Sequence, residues 1–473
     1  MSVLISIDLG TSKICALAFC VETQVPLATC AAANDAQVAG LPVGYDEQDP
    51  ARIWDQVRGL LSQLLANDAV RTRQVSGISI TGQMHGVLLT APQFQPVTNL
   101  VTWRDQRVLP QAGRAGTLIA AQDAIADVGP QRTGCRLHAG YGGATLHHWA
   151  AGGEIPDGVI ALSIADYVAG MLTGVQATDP THAASWGLCD LERGQWDLEC
   201  VSRLGLSPGL LPQLRPTSRP LGTIRAEIAR ELGLSPQTVV YQPIGDNQAS
   251  VVGVAGLGGD AAVVNLGTGG QVSIPQSRAV WVEGFETRPM PLDGFILVGA
   301  SLCGGWSYAY LRRFFQDVVA QIAGVQLDES EVYRRMNELA SQSQSAAGGL
   351  RADTRFHGTR NDPSCRGGLS GIDAVNLTPG NVARAFVEGM VGELAEMFQS
   401  VDNRAVRRIA ASGNAVRANP LVLKTIELMF GRECSLSVHQ EEAALGAARS
   451  AAIAADLIPR GKGPSRQHFG CIS

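Results

Sequence analysis

A short turn near the start of the chain carries residues suited to holding phosphate. Asp8, Gly10, Thr11 and Ser12 occupy this turn, in the segment IDLGTSK. Glycine lets the backbone approach a phosphate closely, and hydroxyls and backbone amides can surround its oxygens. An aspartate just ahead of the turn can hold a magnesium ion, directly or through water. Taken alone, the segment fits an ordinary hairpin turn equally well.

A second turn of the same kind recurs in the segment VNLGTGG, with Gly267 and Thr268 at its centre. Two such turns facing one another could clamp the phosphate chain of a nucleotide from both sides. Further on, Gly413, Asn414 and Asn419 follow a short apolar run. Small residues between a strand and a helix leave room for a flat ring, although a plain strand–helix loop explains this last segment as well.

Asp246 follows an apolar run and precedes a helix of small residues, with Asn247 beside it. An aspartate at such a junction is often a helix N-cap, and that structural interpretation is the simplest one. The functional interpretation makes Asp246 a general base. Phosphoryl transfer needs a carboxylate that orients the attacking hydroxyl and accepts its proton.

A polar cluster suited to a sugar lies at the end of another predicted strand. Gln83, Met84 and His85 stand in the segment GQMHG, and Trp103 and Asp105 in TWRD. Open α/β sheets bind ligands at the carboxyl ends of their strands. A tryptophan offers a face to a sugar, and a carboxylate accepts its hydroxyls. The alternatives are a structural histidine and a tryptophan that packs in the core.

The elements that must position these residues repeat along the chain. Residues 3–8 and 14–20 read as a β-hairpin, and residues 239–244 as a compact buried strand. Residues 261–266 and 271–274 form a second hairpin, again with a Gly/Thr turn. Two halves that each open with strand, Gly/Thr turn and strand predict duplicated α/β domains with a cleft between them.

Composition excludes several other classes of function. The 473 residues carry 37 basic and 43 acidic side chains, a formal charge of -6, which offers no electrostatic reason to bind nucleic acid or an anionic membrane. No run of about eighteen uninterrupted apolar residues predicts a membrane span. The 10 cysteines form no C-x-x-C pair or metal-ligand cluster, so reduced thiols and a cytoplasmic location are expected.

These segments, taken in order, resemble the FGGY family of carbohydrate kinases. IDLGTS and VNLGTGG are similar to its two phosphate loops, ASGNAVRAN to its adenosine motif, and GLSGIDAVNLTPGNVARAFVEG to its C-terminal signature. The resemblance implies an α/β fold of two actin-like (ribonuclease H-like) domains with a central interdomain cleft. We expect a sugar-binding domain at 1–253, a nucleotide-binding domain at 254–458 and a flexible tail at 459–473.

The resemblance also implies ATP and magnesium as co-substrates and a ketose phosphorylated at its terminal hydroxyl. It makes Asp246 the catalytic base, and Asp8 the carboxylate near magnesium. The remaining implied site residues bind the sugar (Gln83, Met84, His85, Trp103, Asp105, Asn247) or the nucleotide (Gly10, Thr11, Ser12, Gly267, Thr268, Gly304, Gly413, Asn414, Asn419). Segments such as GYGGATLHHW and THAASWGLCD resemble the branch of the family that phosphorylates sedoheptulose at its 7-hydroxyl.

Some departures and alternatives stay open at this point. The first loop has Ser12 and Lys13 where many relatives have a second threonine and a later lysine, and Asn414 replaces a common glycine. A pentulose such as xylulose or ribulose is an alternative acceptor. An actin-like, nucleotide-switched binding protein or an inactive scaffold would share the two phosphate turns. The oligomeric state is also open, a homodimer included.

Overall fold

The chain folds around two β-sheets, one built from each half of the sequence. The structure is a computed structural model that describes residues 2–111, 115–359, 362 and 364–460. The predicted tail at 459–473 therefore lies, from residue 461 onward, outside the described residues. The division of the chain at residue 253 is kept as a proposal.

The first half contributes fifteen short and long strands and nine helices to the described structure. Its strands are β1 Ser2–Leu9, β2 Lys13–Cys20, β3 Pro26–Ala33, β4 Glu47–Gln48, β5 Gln74–Gly82, β6 Leu88–Thr90, β7 Leu100–Val101, β8 Ile160–Leu162, β9 Ala177–Thr178, β10 Cys189–Asp190, β11 Gln195–Trp196, β12 Gln213–Leu214, β13 Pro220–Thr223, β14 Val239–Tyr241 and β15 Ile244–Gly245. Its helices are α1 Pro50–Leu65, α2 Leu118–Ala124, α3 Gly129–Thr133, α4 Gly142–Gly152, α5 Ile164–Thr173, α6 Pro180–Ser185, α7 Leu198–Arg203, α8 Ala226–Leu232 and α9 Asp246–Ala255.

The second half has fewer strands and longer helices. Its strands are β16 Ala261–Leu266, β17 Gly270–Gln276, β18 Glu286–Pro289, β19 Phe295–Ser301, β20 Arg351–Asp353, β21 Gly368–Ser370, β22 Arg408–Ser412 and β23 Glu433–Leu436. Its helices are α10 Gly304–Ala323, α11 Glu329–Gln342, α12 Pro379–Ser400, α13 Asn414–Ala418, α14 Pro420–Phe430 and α15 Glu442–Ala454.

The two large sheets share one strand arrangement. The first runs β13-β14-β5-β1-β2-β3, with β15 also paired to β5, and the second runs β18-β19-β17-β16-β22-β23. In each, three adjacent antiparallel strands (β1–β2–β3 and β16–β17–β19) are extended by two parallel strands, β5 and β14 or β22 and β23. The sixth strand differs, because β13 pairs with β14 in the first sheet and β18 pairs with β19 in the second. The predicted duplication of an α/β unit is therefore confirmed.

Two sequence predictions about the elements need correction. The predicted strand at 239–244 is broken, because Gln242 and Pro243 separate β14 from β15 and only the second piece reaches the level of Gly82. Pro243 has no backbone N–H to continue a strand ladder. The edge strand β18 and its neighbour β19 were not predicted, although β19 joins β17 over its whole length.

Helices α9 and α15 each pack against the sheet formed by the opposite half of the chain. Residues Val251 and Val254 of α9 pack on Ala261 and Val263 of the second sheet. From α15, Ala444 and its apolar neighbours pack instead against β1 and β2 of the first sheet. Each half of the chain thus covers a face of the other half's sheet, so the halves are joined at the base of a cleft.

The crossing of α9 and α15 depends on two glycines. A Cβ built on Gly253 would lie 1.9 Å from the carbonyl oxygen of Glu442, and one built on Gly446 would lie 1.8 Å from that of Ala249. No carbon atom can occupy either position, so the two backbones are in direct contact. Among the described residues, no helix is both long and apolar enough to cross a bilayer.

This contact predicts the effect of a single added methyl group. Gly446→Ala should push the two backbones apart and lower the free energy of unfolding by about 1–3 kcal/mol, the usual cost of overpacking. The midpoint of thermal unfolding measures it. Gly392→Ala is the matched control, because Gly392 lies in α12 with nothing within 4 Å of the new Cβ, and alanine favours helices over glycine. Equal midpoints for the two variants would contradict the close crossing.

Candidate active site

The residues predicted to do chemistry converge where three strands of the first sheet end. In the parallel pair β1 and β5, Asp8 lies opposite Thr81 and Leu9 opposite Gly82. On the other side of β5, Gly245 lies opposite the same Gly82. The carboxyl ends of parallel strands meet at one edge of a sheet, so Asp8, the segment after Gly82 and Asp246 are neighbours.

The surroundings of Asp8 disfavour the negative charge of its carboxylate. Burial raises its pKa to about 8, and the charges of Asp246 and Glu441 add to the rise, while Lys13 opposes it. Its Oδ1 is buried without a hydrogen-bond partner among the described residues. A carboxylate in this state is stabilised by any cation that comes within reach.

Asp246 is the first residue of α9, and Gly245 takes the N-cap position that the structural interpretation had assigned to the aspartate. Its side chain is half-buried rather than sealed in the core. Burial raises the pKa of Asp246, whereas the positive charges of Arg288 and His182 and hydrogen bonds from backbone amides lower it. A negative charge at the start of a helix also interacts favourably with the helix dipole.

A buried hydrogen-bond chain holds the backbone just ahead of Asp246. Thr181 Oγ1 accepts the N–H of Gly245 at 2.8 Å and donates to the carboxylate of Asp179 at 2.8 Å. His182 Nδ1 lies 3.0 Å from the same carboxylate, and both side chains are fully buried. The pKa of His182 is raised: burial lowers it, but Asp179 and two further carboxylates more than compensate. These carboxylates favour the protonated form of His182, whose charge acts on Asp246.

Met84 and His85 lie directly after β5. His85 has a positive φ of 72°, an uncommon backbone conformation for a residue other than glycine. Its backbone N–H donates to Ser185 Oγ at 3.0 Å, and its Nδ1 lies 2.8 Å from the carbonyl oxygen of Ser185. A carbonyl oxygen only accepts, so Nδ1 carries the proton and Nε2 faces the cleft as an acceptor. The His85 ring stacks on Tyr141 with the ring centres 4.1 Å apart.

A second chain of hydrogen bonds links Trp103 to the first phosphate turn. Trp103 Nε1 donates to Thr11 Oγ1 at 2.9 Å, and that hydroxyl donates to Gln83 Oε1 at 3.1 Å. Gln83 Nε2 donates to Gln48 at 2.8 Å. The exposed fraction of Trp103 is 45%, so it is not a core residue, contrary to the structural alternative. The predicted sugar and phosphate residues are thus in physical contact.

Asp105 occupies a different environment from Trp103. Its side chain is buried, and both of its oxygens accept hydrogen bonds from Arg107, at 2.8 and 2.9 Å. Arg107 also donates to Glu47 at 2.6 Å, and the backbone N–H of Asp46 donates to Asp105 at 2.8 Å. This ion-pair cluster positions the loop that carries Trp103, and a direct contact of Asp105 with a sugar stays a prediction.

A separate cavity of about 710 Å³ lies in the second half of the chain. Four predicted nucleotide residues line it: Gly267, Thr268, Asn414 and Asn419. Helices α10 and α11 supply about half of the wall, including Trp306, Tyr333 and Asn337, and α12, α13 and α14 add the remainder. Asn419 Nδ2 donates to Asn337 Oδ1 at 2.9 Å, which joins the two sides. The cavity has the size and mixed polarity of a nucleotide pocket.

Gly304 and Gly413 act through their backbone. A Cβ on Gly304 would lie 2.4 Å from Gly269, and one on Gly413, whose φ is +96°, would lie 2.3 Å from the carbonyl oxygen of Leu266. Both positions therefore need glycine. They keep the second phosphate turn and the loop after β22 in backbone contact, beside the cavity.

Several contacts join the two halves, and two of them lie next to the predicted phosphate turns. Asn247 Nδ2 donates to Gln271 Oε1 at 3.1 Å, directly after the second phosphate turn. Lys13, on the edge of the first turn, forms an ion pair of 2.7 Å with Glu441 at the start of α15. Gly10 and Ser12 lie in that first turn, where a Cβ on Gly10 would lie 2.7 Å from the carbonyl oxygen of Lys13. The two turns therefore open onto the same cleft.

The residues present fit a divalent cation held together with phosphate. Within the described ranges, no three acidic, histidine or cysteine side chains are grouped as a complete metal site. Magnesium bound with a nucleotide needs only one or two carboxylates, because phosphates and waters complete its shell. Asp8, with a buried oxygen that lacks a partner and a second carboxylate nearby, fits that role.

Sequence reasoning missed several residues of this site. Arg288, Glu441, Trp306 and Asn337 lie at or beside it but outside the predicted motifs, whereas Tyr141 and His182 stand in the quoted segments GYGGATLHHW and THAASWGLCD without having been named as site residues. One signal was available for Arg288, since Glu286 and Arg288 are two apart on a short strand and therefore share one face of the second sheet. No local pattern marked Glu441, Trp306 or Asn337.

Two family models match this chain over most of its length. The family model "FGGY family of carbohydrate kinases, N-terminal domain" matches residues 3–253, and the C-terminal domain model of the same family matches residues 262–455. The mouse protein sedoheptulokinase is 28% identical over 468 residues, covering 90% of this chain and 93% of its own length. Xylulose kinase of Bacillus subtilis (strain 168) is 25% identical, covering 96% and 88%.

Solved structures agree on the fold. The crystal structure of xylulose kinase from Rhodospirillum rubrum superposes with a TM-score of 0.84 at 23% identity, covering 96% of this chain and 90% of that one. Gluconate kinase from Lactobacillus acidophilus gives a TM-score of 0.82 at 20% identity, covering 97% and 90%. The predicted fold class of two actin-like, ribonuclease H-like α/β domains is confirmed.

The raised pKa of Asp8 predicts that the stability of the protein depends on pH. Because the pKa of Asp8 is about 8 in the folded protein against an ordinary 3.8, protonation of Asp8 favours folding. That contribution is complete below about pH 4 and is lost as the pH rises through 8. Asp8→Asn should therefore stabilise the ligand-free protein at pH 9 by on the order of 2 kcal/mol, with a much smaller difference at pH 5.

Thermal or urea unfolding at a series of pH values measures this difference. Asp68→Asn is the control, because the Asp68 side chain is 90% exposed and its substitution should leave the pH dependence unchanged. Unfolding curves of Asp8→Asn that stay parallel to the wild type from pH 5 to pH 9 would contradict the buried charge.

Proposed function

This chain belongs to the FGGY family of carbohydrate kinases, and we propose that within this family it transfers the γ-phosphoryl group of ATP to the 7-hydroxyl of sedoheptulose. As a member of the family it is a phosphotransferase with a hydroxyl acceptor. One observation carries the assignment of the site. Asp246 begins α9 where β1, β5 and β15 end, beside Asp8 and the Met84–His85 segment.

The choice of sedoheptulose as the acceptor rests on sequence similarity to sedoheptulokinases. The mouse and human sedoheptulokinases are each 28% identical to this chain, and the segments that resemble this branch lie around Trp103, Tyr141 and Asp246. A pentulose acceptor is the second candidate, because the xylulose kinase of Bacillus subtilis (strain 168) is 25% identical over almost the whole chain. The two candidates share their chemistry and differ in the length of the sugar.

In the proposed mechanism Asp246 accepts the proton of the sugar hydroxyl while that oxygen attacks the γ-phosphorus. A base must be ionised to accept a proton. Burial raises the pKa of Asp246, and the charges of Arg288 and His182 oppose that rise and favour the ionised form. The hydrogen bond from Gly245 to Thr181 fixes the start of α9, so the carboxylate keeps its direction. Positioning of this kind supplies much of the rate in phosphoryl transfer.

The cavity and the two phosphate turns suggest how ATP is placed. The ring of a nucleobase would lie in the cavity lined by Trp306 and Asn419, with its phosphates directed along Gly267 and Thr268 toward Asp8. Asp8 would hold a magnesium ion, which neutralises charge on the phosphates when it is bound. Thr11 and Ser12 offer hydroxyls on the opposite side of the cleft.

A nucleotide-switched binding protein of the actin-like superfamily is the rival from another class. Such a protein would need the two phosphate turns but not the polar cluster of Gln83, His85 and Trp103. Consumption of ATP that depends on added sugar separates the two functions, because a switch protein hydrolyses ATP without a sugar acceptor.

A panel of sugars tests the proposal. Purified protein with ATP and magnesium should consume ATP in the presence of ketoses, with kcat/KM at least tenfold higher for sedoheptulose than for xylulose or ribulose. Production of ADP in a coupled assay measures it, with glycerol and gluconate as controls. Equal efficiency on five-carbon and seven-carbon ketoses would reject sedoheptulose as the preferred acceptor, and no stimulation by any sugar would reject the kinase.

The role of the base has its own test. Asp246→Asn should lower kcat by roughly two or more decades, as expected when a general base is lost, while sugar still binds. Calorimetric titration of the variant with its best ketose separates binding from turnover. Asp179→Asn, which acts on Asp246 indirectly through Thr181 and His182, should lower kcat less. Turnover of Asp246→Asn close to the wild type would remove Asp246 from this role.

A further inference from the structure

Arg288 reaches across the domain boundary into the sugar side of the cleft. It lies on β18 of the second sheet, and its side chain is buried. Its Nη2 lies 3.5 Å from His85 Nε2 and its Nη1 lies 3.9 Å from Met84 Sδ, both of which belong to the first half of the chain. One residue of the second domain therefore touches both residues that follow β5.

The guanidinium is held in place by an acidic partner that is itself anchored in the first domain. Glu286 Oε2 accepts from Arg288 Nη2 at 2.6 Å and from Arg288 Nε at 3.1 Å. The other oxygen of Glu286 accepts a short hydrogen bond from the hydroxyl of Tyr141, and the Tyr141 ring stacks on His85. Arg288, Glu286, Tyr141 and His85 thus form a closed loop of contacts that crosses the boundary twice.

The N–H donors of the Arg288 guanidinium have acceptors of unequal strength. Arginine has five N–H donors in a fixed plane. Those on Nε and Nη2 point at Glu286 and His85, which are good acceptors. For Nη1, the only acceptor within hydrogen-bond distance among the described residues is the thioether of Met84, which is a weak one. Arg288 also lies close enough to Asp246 for its charge to act on that carboxylate.

We propose that Arg288 is a sugar-binding residue supplied by the C-terminal domain, whose Nη1 donates to an oxygen of the ketose held between Met84, His85 and Asp246. The inference rests on the proposed function and deepens it, because it adds a donor from the second domain to a pocket that the first domain otherwise builds. A bound ketose then contacts both domains, so sugar affinity depends on their arrangement. The chemistry recognised is an oxygen acceptor, either a hydroxyl or the ketone.

The variant Arg288→Gln tests this donor. It should raise the KM of the ketose at least tenfold, since a hydrogen bond from a charged group is lost, and leave the KM of ATP within about twofold. Arg288→Lys, which keeps a charge and a donor, should recover part of the affinity. The control is Arg136→Gln, which breaks the exposed ion pair of 3.1 Å with Glu283 at the same boundary and should change neither KM.

A rise in the ketose KM caused by lost stability must be distinguished from one caused by lost sugar binding. Arg288→Gln leaves Glu286 buried without its partner, which can destabilise the fold. The double variant Glu286→Gln with Arg288→Gln removes both charges together and keeps the hydrogen bond to Tyr141 feasible. Its unfolding midpoint should lie closer to the wild type than that of the single variant, while its ketose KM stays raised by tenfold or more.

The outcomes distinguish this inference from the proposed function. Wild-type protein that phosphorylates ketoses, together with Arg288→Gln of unchanged ketose KM, would overturn the role of Arg288 alone. A rise of both KM values by equal factors would also overturn that role, because such a pattern indicates a general loss of structure. Wild-type protein without any sugar-dependent ATP consumption would overturn the proposed function and this inference together.

Discussion

The direct backbone contact between α9 and α15 is the constraint on which the rest of the structure depends. Gly253 and Gly446 leave no space for a side chain at the crossing, so the two helices are fixed at a close distance. Each helix packs on the sheet of the opposite half. Because Asp246 opens α9 and Glu441 immediately precedes α15, the same contact sets how the two ends of the helices face the cleft.

Charge is distributed around this cleft in a way that leaves a place for a cation and phosphate. Asp8 and Asp246 are close enough to raise the pKa of Asp8, and Lys13, Arg288 and His182 offset part of their negative charge. A half-buried pair of carboxylates whose charge is only partly compensated is costly in the ligand-free protein. The cost is lowered when positive charge enters, which couples the stability of the site to what it binds.

Hydrogen bonds connect the proposed sugar-binding residues with the proposed phosphate-binding turns. The hydroxyl of Thr11 accepts from Trp103 and donates to Gln83, so one hydrogen-bond chain joins the aromatic face to the phosphate turn. On the opposite wall, Asn247 of α9 reaches Gln271 next to the second turn. Side chains proposed to bind one ligand are therefore held by side chains proposed to bind the other, an arrangement suited to transfer between two bound molecules.

The sequence by itself determined the features that depend on short segments. Alternating apolar residues, Gly/Thr turns and strand-to-helix junctions are local patterns, so they identified the duplicated α/β fold and placed Asp8, His85, Asp246 and Asn419 at the ends of elements. Tertiary structure alone decided which distant residues complete the site. Arg288 and His182 meet Asp246 only because the chain folds back on itself, and Asp105 enters a buried ion pair with Arg107 that no spacing rule predicts. Local backbone preferences act over a few residues, whereas burial and charge pairing act between side chains far apart in sequence, and only the packed chain brings those together.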